Sequence, residues 1–258
     1  MTPPVCLTIA GSDPSGGAGI QADLRAFQAA GVAGTSVITA VLAQNSSGVD
    51  AVLKVAPRFI ARQIDVVAKD SPVAAVKIGM LVNAQIVSVT AERIARRNLP
   101  NVILDPVLSA KDGHDLLSHR GMLRLKTDLL PRALVLTPNA PEAAILSGLP
   151  VTNPAEAREA ARALHALGAR FVLIKGGHYA GEPLDLLYDG TAFLEFPGRR
   201  IEGAPVRGTG CLLSASLAAH IALGASVPEA VDRAKGFVAR CIADAVSIGK
   251  GARVWTGV

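Results

Sequence analysis

The sequence Gly-Thr-Gly-Cys at 208–211 has the residue types and the spacing of an anion-binding turn. Glycine lets the backbone approach a ligand closely and direct its N–H groups inward. The uncharged stretch from Leu212 to Ala219 predicts a helix whose first N–H groups lack partners and whose dipole is positive at this end. A phosphate group is a common occupant of such a site. A glycine turn before a buried helix has the same pattern, so the rest of the chain must decide between the two.

Short apolar runs alternate with helical stretches along the chain. This alternation predicts an α/β fold with a mostly parallel sheet and helices on both faces. Predicted strands lie at 5–10, 36–42, 74–78, 101–104, 133–136 and 171–174, and predicted helices at 20–30, 57–68, 84–97, 121–128, 154–167 and 228–247. Residues 49–56 are expected to be extended, and 184–188 with 192–196 to form a hairpin. No linker or repeat interrupts the chain, so we expect a single domain over 1–258.

Every predicted strand of the central sheet ends in polar or glycine-containing sequence. In a parallel sheet these carboxyl ends meet at one edge, where ligands bind. The six segments are Gly11-Ser12-Asp13, Gln44-Asn45, Gly79-Met80, Asp105-Pro106, Thr137-Pro138-Asn139 and Lys175-Gly176-Gly177-His178. Together they predict a ligand site at this edge of the sheet.

Composition restricts the class of ligand. Half of the 258 residues are hydrophobic, which is enough for a large buried core. Aromatic residues make up 3%, and the net charge of +5 is dispersed, so small anionic ligands are favoured over nucleic acids. Three distant cysteines favour neither a zinc site nor a disulfide framework. No apolar run is long enough to span a membrane and no basic leader opens the chain, so we expect a cytoplasmic protein that does not bind membranes.

Two common nucleotide-binding motifs are excluded. Residues 17–22 match the glycine pattern of dinucleotide-binding proteins, but no acidic residue ends the second predicted strand. Gly249 and Lys250 are followed by glycine rather than by serine or threonine, so the Walker phosphate-binding loop is absent.

Eight motifs in a fixed order identify a more specific likeness. They are Ala10-Gly11-Ser12-Asp13, Gly16-Gly17-Ala18-Gly19-Ile20-Gln21-Ala22-Asp23-Leu24, Ala43-Gln44-Asn45, Lys77-Ile78-Gly79-Met80, Leu104-Asp105-Pro106-Val107, Thr137-Pro138-Asn139, Lys175-Gly176-Gly177-His178 and Gly208-Thr209-Gly210-Cys211. The chain from about 5 to 245 resembles the hydroxymethylpyrimidine and phosphomethylpyrimidine kinases of thiamine biosynthesis, within the ribokinase-like superfamily. The resemblance implies a three-layer ribokinase-like fold, often dimeric. It also implies transfer of the ATP γ-phosphoryl group to a pyrimidine alcohol and then to its monophosphate.

The resemblance assigns the catalytic position to Cys211, where many ribokinase-like sugar kinases have an aspartate base. Gly208, Thr209 and Gly210 would face the transferred phosphoryl group. A thiol at a helix N-terminus is expected to have a depressed pKa and to act as a base or as a polar member of the anion hole. The alternative is a small buried cysteine with a packing role.

The pyrimidine pocket implied by the resemblance has six members: Gly11, Ala18, Asp23, Gln44, Met80 and Val107. Gln44 carries a donor and an acceptor that match the aminopyrimidine edge, although a loop cap has the same residue type. Met80 and Val107 would form apolar walls, or belong to the core. Asp23 would contact the substrate, or act as a partner of the helix dipole.

The nucleotide end is assigned to Lys175, Asn139 and Thr209, with Lys175 reaching the ATP phosphates. Glu142 and Asp105 would support Mg²⁺, because this cation prefers oxygen ligands. The alternative for Asn139 and Glu142 is a helix cap. His178 has a weaker claim, because a loop histidine is often only polar surface.

Two departures from the family pattern stand out. The family usually has a threonine-rich lid and a histidine where this chain has Pro205, Val206 and Arg207, so Arg207 either binds phosphate or blocks the second transfer. The C-terminal residues 249–255 also form a shorter end than usual. The rival functions are a pyridoxal or related vitamin kinase and a non-catalytic pyrimidine-binding regulator. The Gly-Thr-Gly-Cys sequence, Lys175 and Glu142, which would bind phosphate and its cation, argue against a non-catalytic regulator.

Overall fold

The computed structural model describes residues 2–110, 113–177 and 182–257. The strands are β1 (Val5–Ser12), β2 (Ala33–Gln44), β3 (Val49–Lys54), β4 (Val73–Ile78), β5 (Val102–Leu104), β6 (Val135–Leu136), β7 (Phe171–Ile174), β8 (Leu184–Tyr188) and β9 (Phe193–Pro197). The helices are α1 (Gly19–Ala29), α2 (Pro57–Asp70), α3 (Ala84–Arg96), α4 (His119–Arg124), α5 (Ala140–Ser147), α6 (Pro154–Ala166), α7 (Thr209–Ala222) and α8 (Val227–Ala243).

These strands form one sheet in the order β3-β2-β1-β4-β5-β6-β7-β8-β9. Six adjacent strands, β2, β1, β4, β5, β6 and β7, are parallel to one another, whereas β3, β8 and β9 pair antiparallel at the two ends of the sheet. The central strands are apolar because helices cover both of their faces. The mostly parallel sheet and the β8–β9 hairpin confirm the prediction from the sequence.

The sheet separates two hydrophobic cores. On one face, α2, α3, α5 and α6 bury residues such as Ile60, Ile86 and Leu146 against the strands. On the other face, α1, α7 and α8 pack together around Phe27 and Leu217. Helix α7 is buried from Leu212 to Ala219, which explains its lack of charge in this part. The result is the expected three-layer α/β architecture.

The structure differs from the predicted elements in one additional helix and at several element ends; the helix predicted at 228–247, for example, ends at Ala243. The helix predicted at 121–128 begins at His119 and continues after Arg124 as a π-turn, Leu125–Leu129. Helix α5 was not predicted as a helix, because its eight residues carry no clear polar face. No helix among the described residues has the length and apolar character needed to cross a membrane.

Candidate active site

A cavity of about 610 Å³ opens at the carboxyl ends of the parallel strands. The segments that follow β1, β2, β4, β5, β6 and β7 each supply at least one wall residue, and the first turn of α7 supplies others. The cavity therefore lies at the edge of the sheet where the strand ends predicted a ligand site.

Most of the predicted site residues lie on the cavity wall. These are Gly11, Ala18, Gln44, Met80, Asp105, Val107, Asn139, Glu142, Lys175, Gly208, Gly210 and Cys211. Thr209 and Asp23 are not among the wall residues. Asp23 lies beneath the wall with a fully buried side chain, so the structure corrects its expected position as a direct ligand contact. His178 lies outside the described residues.

Two glycines bring the starts of α1 and α7 together. Gly19 has a φ of +58°, and a Cβ there would lie 2.3 Å from the carbonyl oxygen of Gly11. Gly208 has a φ of +76°, and a Cβ there would lie 1.9 Å from the carbonyl oxygen of Gly17. Any larger residue at either position would therefore push the backbone apart. The two helix N-termini consequently converge on the cavity, with the positive ends of both dipoles.

Cys211 lies half-buried in the first turn of α7, where the Gly19 backbone N–H donates a hydrogen bond to its sulfur. Burial raises the pKa of the Cys211 thiol to about 11, although Lys77 and the Gly19 N–H act in the opposite direction. The depressed pKa expected from the helix N-terminus is therefore wrong, because desolvation outweighs the dipole. The thiol is protonated at neutral pH.

This protonation state predicts slow alkylation of Cys211 that accelerates with pH. Only the thiolate reacts, so the rate with iodoacetamide should rise about tenfold per pH unit between pH 7 and 10. Peptide mass spectrometry at several pH values would measure the rate at Cys211 itself. The Cys211→Ser variant is the control, because it leaves only Cys6 and Cys241, whose pKa values burial raises to about 12. A rate that levels off below pH 8.5 would contradict the raised pKa.

A buried ion pair lies at the floor of the cavity, where Lys77 is part of the wall and Asp23 lies behind it. The Lys77 Nζ is 2.8 Å from each carboxylate oxygen of Asp23, both side chains are fully buried, and the Thr8 hydroxyl donates to the same carboxylate. Burial alone would lower the pKa of Lys77, but Asp23, Cys211 and Asp105 raise it above its ordinary value. A cation is thus fixed beneath the first turn of α7.

Lys77 is a cavity residue to which the sequence reasoning assigned no role. A lysine inside an apolar strand gives no sign of its partner in the sequence. The sequence signal that could have indicated the buried lysine is Gly79, two residues later. In the structure, a Cβ at Gly79 would lie 2.9 Å from the Lys77 Nζ. The small residue leaves space for the ammonium group.

A second charged cluster lies at the other end of the first turn of α7. The Lys175 Nζ donates to Asp105 at 2.9 Å and lies 3.9 Å from Glu142. The Ser214 hydroxyl also donates to Asp105. Burial alone would raise the pKa of Asp105, but Lys175 and Lys77 hold it below its usual range. The cluster therefore combines an ionised carboxylate with a charged lysine at the cavity wall.

Glu142 has two roles that the sequence offered as alternatives. It forms a capping box with Asn139 at the start of α5, and its side chain also lines the cavity. Burial raises the pKa of Glu142 to about 7. Within the described ranges, no group of three histidine, cysteine, aspartate or glutamate side chains could hold a metal ion. A cation bound near Asp105 and Glu142 would therefore need further oxygen ligands from a bound phosphate.

The opposite end of the cavity is more apolar. Gln44 lies half-buried at the end of β2, and Leu42, Met80 and Val107 line the wall nearby in the same cavity. A flat ring with a polar edge would match these apolar side chains and the single amide. This geometry is compatible with the pocket expected for a heteroaromatic ligand.

Residues from the C-terminal part of the chain close this end. The Arg207 guanidinium donates to the Asn45 carbonyl at 2.7 Å, and the Arg207 backbone N–H donates to the Arg253 carbonyl. The Gly251 N–H donates to the Ser46 hydroxyl at 3.0 Å. Gly251 and Ser46 both line the cavity. The local sequence does not predict this wall, because its parts are about 200 residues apart in the chain.

Comparison with known proteins agrees with this geometry. The phosphomethylpyrimidine kinase family model matches residues 13–255. A hydroxymethylpyrimidine/phosphomethylpyrimidine kinase from Rhizobium meliloti is 45% identical over 251 residues, covering 96% of this chain and 94% of that protein. The thiamine biosynthesis bifunctional protein ThiED of Geobacter sulfurreducens is 44% identical over 246 residues, or 95% of this chain. The chain spans about half the length of that protein.

The fold is shared with a solved structure of a vitamin kinase. The ADP complex of Bacillus subtilis pyridoxal kinase superposes with a TM-score of 0.91 at 34% identity, covering 99% of this chain and 98% of that one. This likeness confirms the expected ribokinase-like fold. The family match extends over nearly the whole chain and includes the cavity residues described above from Asp13 onward. The chain therefore belongs to the phosphomethylpyrimidine kinase family.

Proposed function

We propose that the protein transfers the γ-phosphoryl group of ATP to the hydroxymethyl group of 4-amino-5-hydroxymethyl-2-methylpyrimidine, and then phosphorylates the monophosphate, in thiamine biosynthesis. The observation that carries this proposal is the position of the α7 N-terminus in the cavity. It lies between the Lys175 cluster at one end and the apolar Gln44 end at the other. A phosphoryl group held there would lie between a nucleotide and a flat alcohol.

The site supplies positioning and charge, which are the main requirements of phosphoryl transfer. Lys175 would hold the ATP phosphates together with Asn139, which also lines the cavity, whereas Thr209 does not line it. The N–H groups of the first turn of α7 and the side chain of Cys211 would face the transferred group. In the reaction, the hydroxymethyl oxygen bonds to the γ-phosphorus while the bond to the β,γ-bridging oxygen breaks and ADP leaves, and the hydroxyl proton passes to an oxygen of the transferred phosphoryl group.

ATP is proposed to bind as its magnesium complex, with Glu142 and Asp105 contributing oxygen atoms directly or through water. The magnesium ion would offset the charge that builds up on the phosphate oxygens. A protonated Cys211 suits this chemistry, because in a loose transition state the alcohol proton does not have to leave before the phosphoryl group moves. Cys211 then acts as a hydrogen-bond donor rather than as a base.

Two broader expectations belong to the same proposal. The family resemblance implies a homodimer and a cytoplasmic location. Sedimentation equilibrium of the purified protein would measure its oligomeric state.

A parallel assay would test the proposed activity. ATP consumption is measured with the hydroxymethylpyrimidine, its monophosphate and pyridoxal, each with magnesium and with a chelator. We expect turnover of both pyrimidines that exceeds turnover of pyridoxal and stops in chelator. The structural likeness to a pyridoxal kinase makes pyridoxal the appropriate competitor. Turnover of pyridoxal alone, or of no substrate, would reject the proposal.

Gln44 is expected to determine pyrimidine affinity. Because the cavity holds this amide among apolar side chains, the Gln44→Ala variant should bind the pyrimidine about 10- to 100-fold more weakly, the loss for an unsatisfied polar edge of about 1–3 kcal/mol. Calorimetry would measure pyrimidine and nucleotide binding separately. Gln28→Ala, an exposed glutamine on α1, is the control. If Gln44→Ala keeps the wild-type pyrimidine affinity, this side chain does not bind the ring.

A further inference from the structure

The charge on the cavity wall is balanced at two positions and unbalanced at a third. Lys77 is paired with the buried carboxylate of Asp23, and Lys175 is paired with Asp105. Arg207 also lines the cavity, but no described carboxylate lies within 4.0 Å of its guanidinium. Within the described part of the chain, Arg207 is therefore the cavity cation without a carboxylate partner.

The position of Arg207 assigns this charge to one end of the cavity. Its guanidinium donates to the carbonyl of Asn45, which follows Gln44, and its aliphatic part lies beside Gly17. A Cβ at Gly210 would lie 3.4 Å from the Lys175 Nζ, so the first turn of α7 separates the two cations. Arg207 lies at the proposed pyrimidine end, and Lys175 lies at the proposed nucleotide end.

The donors around Arg207 match a phosphate dianion. A guanidinium has five N–H donors in a planar fork, and the contact with Asn45 occupies one of them. The remaining donors can bind two phosphate oxygens together. Gly208, the next residue, is the N-cap of the 14-residue helix α7, so the helix N–H groups point to the same region.

We propose that Arg207 binds the phosphate of the pyrimidine monophosphate and so positions it for the second phosphoryl transfer. The inference rests on the proposed function and names a residue that determines specificity for its second substrate. In that transfer, an oxygen of the bound phosphate bonds to the γ-phosphorus of ATP, and the β,γ-bridging oxygen leaves with ADP. This reaction needs no oxidant or reductant, and the two charges of the monophosphate meet a cation that otherwise lacks a carboxylate partner.

Binding measured without nucleotide tests the assignment. Calorimetry would compare the alcohol and its monophosphate on the wild type, on Arg207→Gln and on Arg207→Lys. Arg207→Gln should weaken monophosphate binding about 10- to 100-fold, the loss for a charged hydrogen-bonding partner. Arg207→Lys should weaken it less, because the charge stays while the fork is lost. Arg62→Gln, an exposed arginine on α2, controls for the change in net charge.

Binding of the unphosphorylated alcohol shows whether the variants remain folded, and it separates the possible outcomes. An equal loss of affinity for both ligands would overturn the inference, because Arg207 would then act only by holding Asn45 in place. Tighter monophosphate binding by Arg207→Gln would also overturn it and would mean that the arginine obstructs the second substrate. A non-hydrolysable ATP analogue is titrated separately. If Arg207→Gln lowers the affinity for this analogue alone, Arg207 binds the nucleotide and the inference is wrong. Failure of the wild type to bind either pyrimidine would reject the proposed function itself.

Discussion

The Cys211→Ala variant is expected to lower kcat by about 10²–10³, the effect of removing one preorganised donor from an anion hole. The sulfur lies in the first turn of α7, and the Gly19 N–H donates to it. Alanine removes the thiol but leaves the N–H groups of the helix, so part of the charge stabilisation should survive. A contact made mainly in the transition state lowers kcat and kcat/KM together. Substrate affinity should therefore change little.

Three variants distinguish the possible roles of the thiol in steady-state assays. Cys211→Ser keeps a small hydrogen-bond donor and should recover part of the lost rate. Cys241→Ala, a buried cysteine in α8 outside the cavity wall, should retain the wild-type rate. A loss well above 10³ for Cys211→Ala would favour proton removal by the thiolate, which contributes about 10²–10⁴. If Cys211→Ala keeps the wild-type kcat, the thiol has only a packing role.

The sequence predicted most strands and helices in their order along the chain, because the central strands are apolar and the helices alternate with them. It also predicted the position of the site, because the carboxyl ends of parallel strands lie at one edge whatever the loops contain. Helix α5 is not predicted, because its eight residues carry no clear polar face, although the capping box of Asn139 and Glu142 marks its start. Local patterns therefore predict long elements better than short ones.

What the sequence could not predict depends on contacts between distant residues. The pairing of Lys77 with Asp23 joins positions 54 residues apart, and the contact of Arg207 with Asn45 joins positions 162 apart. The pKa of Cys211 is a similar case. The sequence shows that the thiol begins a helix, but only the packed structure shows that burial outweighs the helix dipole. Electrostatics in this site depends on desolvation as much as on charge.

The Lys77→Met variant is expected to destabilise the protein by about 3–5 kcal/mol, the range for removing one partner of a buried ion pair. Methionine matches the apolar stem of lysine, so the loss would come from Asp23, whose carboxylate would be left in a fully buried position without its counter-ion. The Thr8 hydroxyl and a shift of Asp23 toward its neutral form would recover only part of that energy. Urea unfolding would measure the free energy of unfolding.

A double-mutant cycle tests whether the pair itself causes the loss. In Lys77→Met with Asp23→Asn, the neutral amide can still accept the hydrogen bond from Thr8, so the double variant should be more stable than Lys77→Met alone. Arg162→Met removes one partner of the exposed Arg162–Glu159 pair and should have a much smaller effect. If Lys77→Met unfolds at the wild-type urea concentration, or if the two single losses simply add, the ion pair does not stabilise the fold. The role of the pair would then be to hold the Lys77 ammonium group beneath Cys211, and Lys77→Met would lower kcat rather than the free energy of unfolding.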